Sequence, residues 1–449
     1  MRVFRIPEIG SKFWIALPFN LRDEGIDEKS YALVDRNEAG VLGRLSDLKD
    51  AVIDAVDSAR SEMLDVSQEI HDNPELGLKE FRTSELLSSI LQKAGFAVER
   101  GIAGMPTAFK ATFHAKRPGV NLAYLAEYDA LPGIGHGCGH NIIGTAAVFA
   151  AISLSKLSEQ LSGRITVFGT PDEEGAGGKI TMVKAGSFDG VDATIMTHPW
   201  TFTSPWMPSV GIASLTIEFT GKTAHYSTPH RGSNALDGVV LTLAALNGIR
   251  HNFRNDVVYG YTIDQGGVSP SIIPEKASAR LWIKSTDVRN LLETVDRVKA
   301  LAEGIAKSIG GRVTVEPHYP LFEESVPNLT LMQEFSRNLT RLGIPFKTPE
   351  ETSRSLVYVS TDYGNVSHVV PSISAAISIG PETLSAHTPE FAEAAVSKLG
   401  CEALVAVTKA MAMTGVEVLS RPELAESAKA EFLKYKAAGF SNVPLAPIY

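Results

Sequence analysis

The chain has 449 residues, a formal net charge of −9 and a globular composition, with 44% hydrophobic and 21% charged residues. Because this length exceeds the usual single-domain range, we expect two domains. The negative charge and the lack of a dense basic run argue against a nucleic-acid binder. Two cysteines cannot form a disulfide framework, which suits a reducing compartment.

The N-terminal region contains an apolar stretch, residues 13–19, followed by the charged stretch 22–29. The apolar stretch is too short to span a bilayer, and it lacks the ordered regions of a signal peptide. We interpret it as an arm that packs on the domain surface or on a dimer mate. We therefore expect no membrane partner and a cytoplasmic location.

Hydrophobic periodicity predicts alternating helices and strands in the first half of the chain. The predicted helices are 44–69, 81–94, 145–157 and 177–185, and the predicted strands are 107–113, 121–126, 164–169 and 193–197. This alternation is typical of an α/β layer sheet with helices on both faces.

The pattern changes after Pro208, where the order becomes β-α-β-β-α-β, the plan of ferredoxin-like domains. The predicted elements are strand 210–219, helix 234–251, strands 257–263 and 277–283, helix 288–308 and strand 312–317. Around Pro327 the chain returns to the first domain. That part has helix 329–342, strand 374–379, helix 392–413 and a helical tail that ends near residue 438. One compact domain is therefore predicted to be inserted into another.

The densest chemical signal is the segment 135–141, Gly-His-Gly-Cys-Gly-His-Asn, between a predicted strand and a predicted helix. The thiolate of Cys138 and the imidazole of His140 can face one ion, since the glycines allow unusual dihedrals and close approach. Ligands also collect at strand ends in open α/β sheets. The alternative is a structural turn with a buried cysteine.

Three further motifs at predicted strand ends or in loops contain side chains that can bind a metal. The first contains Glu173 and Glu174, the second His198 and the third His387. Paired carboxylates suit two tasks, because one can bind a metal while the other accepts a proton from water. Taken singly, the acidic pair also fits a solvated turn, and each histidine fits a structural role.

The set as a whole favours a metal site, because all of its members belong to the outer domain and none to the insert. The candidate ligands are Cys138, His140, Glu174, His198 and His387. Zn²⁺ and Mn²⁺ accept such a mixture of sulfur, nitrogen and oxygen. Five ligands exceed the need of one tetrahedral catalytic ion, so we predict a pair of divalent ions about 3.5–4 Å apart.

Ordered motifs then indicate a family. They are Asp129-Ala-Leu-Pro, Gly137-Cys-Gly-His-Asn, Thr170-Pro-Asp-Glu-Glu, Thr197-His-Pro, Gly221-Lys-Thr-Ala-His, Thr361-Asp-Tyr-Gly and Ala386-His-Thr-Pro. By these motifs the chain resembles the aminoacylase and carboxypeptidase G family of co-catalytic metallopeptidases. Its branch looks like the amidohydrolases that include p-aminobenzoyl-glutamate hydrolase, auxin-conjugate hydrolases and β-alanyl-lysine dipeptidases. The resemblance covers residues 71–395.

The resemblance implies roles for these residues. The five candidate ligands would hold the metals, and Glu173 would be the general base toward a metal-activated water. Asp129 would orient a ligand imidazole. His225, in the insert, would stabilise the oxyanion, often in the active site of the partner subunit.

The resemblance also implies a mixed-sheet catalytic domain interrupted by a ferredoxin-like lid and dimerisation domain, and hence a homodimer. The predicted boundaries are an N-terminal extension 1–45, a catalytic domain 46–209 and 326–420, the insert 210–325 and a C-terminal tail 421–449.

Some positions depart from the family pattern and bear on the substrate. Asn141 stands where aminoacylase-like members carry Asp, which indicates the aminobenzoyl-glutamate or dipeptidase side. Ser271 and Lys284 stand where many relatives have Asn and Arg, and Lys pairs with a carboxylate only as a point charge. Asp362 is a further candidate, for contact with a substrate amine.

We therefore expect metal-dependent hydrolysis of an amide bond in a small acylamino acid, aryl-amino acid or dipeptide. One alternative is an aminoacylase or exopeptidase with a different acyl preference. Another is a non-catalytic binding relative, although such a protein has no need of both Glu173 and Glu174. A third is a single structural zinc in an unrelated enzyme.

Overall fold

The computed structural model describes residues 28–354 and 359–440, without the side chains of 28–42 and 353–354. It divides into a unit of residues 1–47 and a unit of residues 48–449. The contacts discussed below belong to the second unit. The predicted N-terminal arm at residues 13–19 lies outside the described residues.

Helices and strands alternate along the described chain. The helices are α1 Glu28–Ser58, α2 Arg60–Asp72, α3 Phe81–Lys93, α4 His140–Ser155, α5 Gly178–Lys184, α6 Ala235–Gly248, α7 Val288–Ser308, α8 Leu329–Arg341, α9 Pro349–Arg354, α10 Tyr363–Ser367, α11 Pro389–Ala395, α12 Lys398–Ser420 and α13 Pro422–Ala437. The strands are β1 Ala97–Arg100, β2 Phe109–His114, β3 Arg117–Ala126, β4 Ser162–Gly169, β5 Ala193–Trp200, β6 Gly211–Thr220, β7 Ala224–His225, β8 Val258–Gln265, β9 Ile272–Ile273, β10 Lys276–Ser285, β11 Arg312–Phe322 and β12 Ser372–Ser378.

The larger sheet has six strands in the order β1-β2-β4-β3-β5-β12 and is mixed. The pairs β3–β4, β3–β5 and β5–β12 are parallel, whereas β1 and β2 join in antiparallel fashion. Because β3, β4, β5 and β12 run in one direction, their carboxyl ends meet at one edge of the sheet. The predicted mixed α/β fold is confirmed.

Helices cover both faces of this sheet, as neighbouring residues of β3 show. The Tyr124 hydroxyl donates to the Met411 carbonyl of α12 at 3.1 Å. Leu125 instead packs in a cluster with Met182 of α5 and Tyr363 of α10. Successive side chains of a strand point to opposite faces, so the two groups of helices lie on opposite sides.

Helix α12 is long and apolar enough to cross a membrane by length and composition alone. However, 83% of its apolar window is buried inside the fold. Its contacts run along α4 and α8. Such burial is typical of the central helix of a protein core.

The segment from β6 to β11 forms a second, antiparallel sheet in the order β11-β6-β10-β8, with α6 and α7 against one face. Its core is made by its own elements, for example Phe219, Leu243, Leu281 and Val298. The sheet contributes alternate residues to that core, as the period of two in β6 and β10 requires.

Several predicted boundaries are wrong, for local reasons. The helix predicted at 44–69 is two helices that meet at Ala59. Helix α4 begins at His140, not at 145, because Gly139 takes a left-handed conformation (φ 75°) and the helix starts directly after it. The helix predicted at 392–413 is α11 and α12, where the Ser397 hydroxyl accepts from the Gly400 amide at 3.1 Å and caps α12.

Candidate metal centre

The predicted metal ligands all lie at or beyond the carboxyl ends of the parallel strands. Glu174 follows β4, His198 lies near the end of β5, and His387 follows β12. Cys138 and His140 belong to the connection from β3 into α4. The turn between them requires glycine, because a Cβ atom on Gly139 would lie 2.8 Å from Pro199 Cγ.

Cys138, His140 and His198 form a first group of potential ligands, with one atom of each residue lying within 4.8 Å of the others. Cys138 Sγ is 3.6 Å from His198 Nε2. His140 Nδ1 donates to the Asp129 carbonyl at 2.9 Å, and His198 Nδ1 donates to the Pro199 carbonyl at 2.6 Å. Since these partners accept the Nδ1 protons, the Nε2 lone pairs of both rings are available to a cation.

Cys138 also belongs to a second group, with Glu174 and His387. His387 Nε2 is 3.5 Å from Cys138 Sγ and 3.5 Å from Glu174 Oε1. The backbone of His387 is left-handed (φ 64°), an uncommon conformation for a residue other than glycine. Its amide donates to the Gly137 carbonyl at 2.9 Å, which ties the His387 loop to the Cys138 loop.

The spacing of these atoms fits a bound metal ion. Ligands that lie about 2.0–2.3 Å from one ion at a tetrahedral angle are about 3.3–3.8 Å apart. In addition, His140 Nε2 and Glu174 Oε1 are buried and have no hydrogen-bond partner among the described residues. Buried polar atoms rarely lack a partner, so these two atoms fit direct contact with a cation. The mixed sulfur, nitrogen and oxygen donors suit a divalent cation.

Burial and nearby carboxylates set the protonation of the first group. Burial raises the pKa of the Cys138 thiol and lowers the pKa of His198 to about 4. Burial also opposes the charged form of His140, but the contacts with Asp129 outweigh it and raise the pKa of His140 well above its usual range. A neutral imidazole is the form that binds a metal. A thiol becomes a ligand only when it loses its proton, a change that a nearby cation favours strongly.

Glu173 lies beside these two groups and forms a third one with His140 and Glu174. Its side chain is buried, and its Oε2 is 3.8 Å from His140 Nε2. Burial, together with the neighbouring Glu127 and Glu174 carboxylates, raises the pKa of Glu173 well above its usual range. A carboxyl group with a raised pKa suits proton transfer near neutral pH.

Asp129 connects the segment that carries His140 with the loop that carries Glu174. Its Oδ1 accepts from His140 Nδ1 at 3.1 Å, and its Oδ2 accepts from the Glu174 amide at 2.9 Å. Burial opposes its ionisation, but the contacts with His140 outweigh it and lower the pKa of Asp129. A carboxylate at this place fixes the orientation of the imidazole.

The other candidate residues lie apart from this cluster. In the β6–β11 segment, His225 is exposed and its Nδ1 contacts Ser227 Oγ at 2.8 Å. Ser271 is also exposed, and its hydroxyl contacts the Ser269 hydroxyl. Lys284 is partly buried beside the Trp282 ring, and burial lowers the pKa of its ammonium group. Asp362 is fully buried beside the six-stranded sheet, where it binds Lys179. Their roles toward a substrate stay predictions.

Sequence reasoning missed two buried charged residues at the cluster. Glu127 Oε2 is 3.6 Å from His140 Nε2, and Lys179 Nζ is 2.6 Å from Glu127 Oε1. The spacing Glu127-x-Asp129, with both carboxylates directly after β3, was the available signal. Nothing local in the sequence marks Lys179 as buried.

Comparisons with known proteins identify the family. Residues 123–410 match the profile of peptidase family M20/M25/M40. The mouse Xaa-Arg dipeptidase is 32% identical over 399 residues, which cover 86% of this chain and 92% of that protein. A p-aminobenzoyl-glutamate hydrolase chain of Escherichia coli is 34% identical over 328 residues, 68% of this chain and 66% of that protein.

Solved structures share the fold. A dinuclear metal binding peptidase from the M20 family of Bacillus subtilis superposes with a TM-score of 0.63 at 19% identity, covering 81% of this chain and 99% of that one. An aminobenzoyl-glutamate utilization protein from Klebsiella pneumoniae gives a TM-score of 0.65 at 16% identity, covering 83% and 100%.

The chain thus belongs to peptidase family M20/M25/M40. It is a metal-dependent amidohydrolase or peptidase, as the sequence motifs predicted.

Proposed function

We propose that this protein hydrolyses the amide bond of a small acylamino acid, aryl-amino acid or dipeptide at a centre of two divalent ions, with Glu173 as general base. The observation that carries this proposal is the convergence of two ligand groups on one shared thiol, Cys138, beside the buried carboxyl group of Glu173. A shared ligand suits a pair of neighbouring ions.

Divalent ions at such a site lower the pKa of water and stabilise negative charge on an amide oxygen. Glu173 takes a proton from the attacking water and returns it to the leaving amine, a sequence that its raised pKa favours. Asp129 keeps the Nδ1 proton on His140 and so leaves Nε2 for the metal. His225 would stabilise the oxyanion after it approaches from the insert or from a partner subunit.

Support for the substrate class comes from the relatives. Two of them are named for dipeptide and p-aminobenzoyl-glutamate hydrolysis, and an Arabidopsis relative, 25% identical over 297 residues, is named an IAA-amino acid hydrolase. These names share a small acyl group joined through an amide to an amino acid. We therefore propose that substrate chemistry for this protein, with Ser271 and Lys284 as candidate contacts to the substrate carboxylate.

The test is a panel of such amides with protein stripped by a chelator and reloaded with Zn²⁺ or Mn²⁺. Xaa-Arg dipeptides, β-alanyl dipeptides, aryl-glutamates, N-acyl amino acids and indole-acetyl amino acids are incubated with the protein, and the released amine is quantified. We expect two metal ions per chain by mass spectrometry and turnover that returns with metal. If the metal-loaded protein releases no amine from any member of the panel, the proposal fails.

We further propose that the β6–β11 segment is a ferredoxin-like lid and dimerisation domain of a cytoplasmic homodimer. Its strand β8 lies at the edge of the sheet and exposes Tyr261 and Ile263, and α6 exposes Val240 and Leu241. Unpaired edges and exposed apolar groups are features of association surfaces. We expect Ile263→Asp to shift the dimer toward monomer in sedimentation velocity, whereas an unchanged sedimentation coefficient would argue against this interface.

A further inference from the structure

One histidine of the centre faces carboxylates through both of its nitrogens. His140 Nδ1 is 3.1 Å from Asp129 Oδ1, and His140 Nε2 is 3.6 Å from Glu127 Oε2. All three side chains are fully buried. Asp129 has the orienting role described above, which leaves Glu127, two residues earlier in the chain, without an assigned function.

The contact between Glu127 and His140 is not a hydrogen bond. The Nδ1 proton is held by the Asp129 carbonyl at 2.9 Å and by its carboxylate, so the neutral form of the ring, which is the form that binds a metal, presents a lone pair at Nε2. A lone pair that faces an ionised oxygen is repulsive unless a cation lies between them. Neither His140 Nε2 nor Glu127 Oε2 has a hydrogen-bond partner among the described residues, which is costly at complete burial.

The rest of the Glu127 side chain is anchored from behind. Lys179 Nζ pairs with Glu127 Oε1 at 2.6 Å and with Asp362 Oδ1 at 2.5 Å, and all three groups are fully buried. The Lys179 amide also donates to Asp362 Oδ2 at 2.8 Å. Lys179 therefore has two carboxylates to neutralise it, and Glu127 keeps one oxygen directed at the imidazole.

We propose that Glu127 is a further member of the metal centre, a carboxylate that faces the cation bound by His140 Nε2 and strengthens its binding. The proposal rests on the metal-binding role of His140 in the proposed function. Lys179, which contacts Glu127 Oε1, acts as a positioning residue that holds Glu127 in this orientation. The centre then contains an anion in addition to the five predicted ligands.

The experiment measures Zn²⁺ dissociation constants by chelator competition and the zinc content by mass spectrometry, with the melting temperature of each apo-protein as a folding control. Glu127→Gln keeps the shape and removes the charge. The double variant Glu127→Gln/Lys179→Met removes the charges of both partners. Asp362→Asn is the matched control, because it alters the other carboxylate of Lys179.

We expect Glu127→Gln to weaken the binding of one zinc ion about 10–100-fold, the range typical of groups that support metal ligands. The double variant should show the same weakening, and Asp362→Asn should bind zinc within about twofold of the wild type. Zinc affinity at the wild-type value in either Glu127 variant overturns the inference, because Glu127 then serves only to neutralise Lys179. If Glu127→Gln does not fold, the charge-balanced double variant decides alone.

The proposed function fails separately from this inference. If the wild-type protein binds no zinc, the metal centre itself is refuted. If the wild type binds two ions and the Glu127 variants bind them equally well, only the role of Glu127 is refuted.

Discussion

The region of the six-stranded sheet and the β6–β11 segment present their functional candidates in opposite ways. At the edge of the six-stranded sheet, Cys138, His140 and Glu173 are buried and held by contacts among the loops that follow the strands. In the β6–β11 segment, the side chains of His225 and Ser271 are exposed and contact near neighbours in sequence, Ser227 and Ser269. The geometry of the buried candidate ligands is therefore preorganised, whereas substrate contacts from the β6–β11 segment would require a substrate, a domain movement or a second subunit.

The strongest prediction concerns Glu173, the buried carboxyl group beside the candidate ligands. Glu173→Gln should reduce kcat about 10²–10⁴-fold, because it removes the proton acceptor. Zinc content should stay at the wild-type value, since Glu173 is the proposed general base and is not one of the five predicted ligands. Initial rates on the best substrate of the panel and metal analysis provide the two measurements.

Glu174→Gln is the matched control for this prediction, because it changes the adjacent carboxylate that contacts His387. It should lose metal together with activity. The reverse pattern, in which the Glu173 variant loses metal and the Glu174 variant keeps it, would mean that the two glutamates exchange roles.

The next prediction probes the exposed region. His225→Ala should lower kcat about 10²–10³-fold, the usual cost of removing an oxyanion donor, with unchanged zinc content and sedimentation. His230→Ala is the control, because His230 is also exposed and lies five residues further along the same segment. Near-normal turnover of the His225 variant would show that the exposed ring never reaches the reacting atoms.

Much of the fold and of the buried cluster was readable from the sequence, because both depend on local patterns. Glu174, His198 and His387 follow or end apolar strands, and the carboxyl ends of parallel strands meet at one edge. Strand β1 was missed, since its four residues show no alternation of buried and exposed positions.

The sequence did not show which buried charged residues pair across distant segments. The pairing of Lys179 with Glu127 and Asp362 joins three segments far apart in sequence. Periodicity reports which face of an element is apolar, and it carries no information about which buried charges meet. The sequence also could not show that His225 is exposed, because its motif predicts a role for the side chain and not its distance from the candidate metal ligands.

A smaller effect concerns stability in the buried region. Glu80 is fully buried, its Oε1 accepts from the Asp172 amide at 3.0 Å, and burial raises its pKa to about 7. Since the folded state then binds more protons than the unfolded state, this group favours folding below about pH 4.5, and its contribution is lost as the pH rises through 7. The free energy of unfolding should therefore fall by about 1–3 kcal/mol across this window, on top of other titrations.

Glu80→Gln isolates this contribution, because the amide keeps an oxygen for Asp172 and can donate to Thr107 Oγ1, which lies 2.8 Å from Glu80 Oε2. Urea unfolding of both proteins between pH 4.5 and 8 should show a flatter profile for the variant. Parallel profiles would mean that Glu80 ionises in the folded protein as easily as in the unfolded chain.

A modest change in KM is expected from the exposed residue Ser271. If Ser271 meets the substrate only in a closed state, Ser271→Ala removes one neutral hydrogen bond, which is about 0.5–1.5 kcal/mol, and raises KM about 2–12-fold with little change in kcat. Ser269→Ala is the control, because its hydroxyl is the present partner of Ser271 at 2.9 Å. An equal rise of KM in both variants would assign the effect to the loop that the two serines share, whereas a rise confined to Ser271→Ala places that hydroxyl on the substrate.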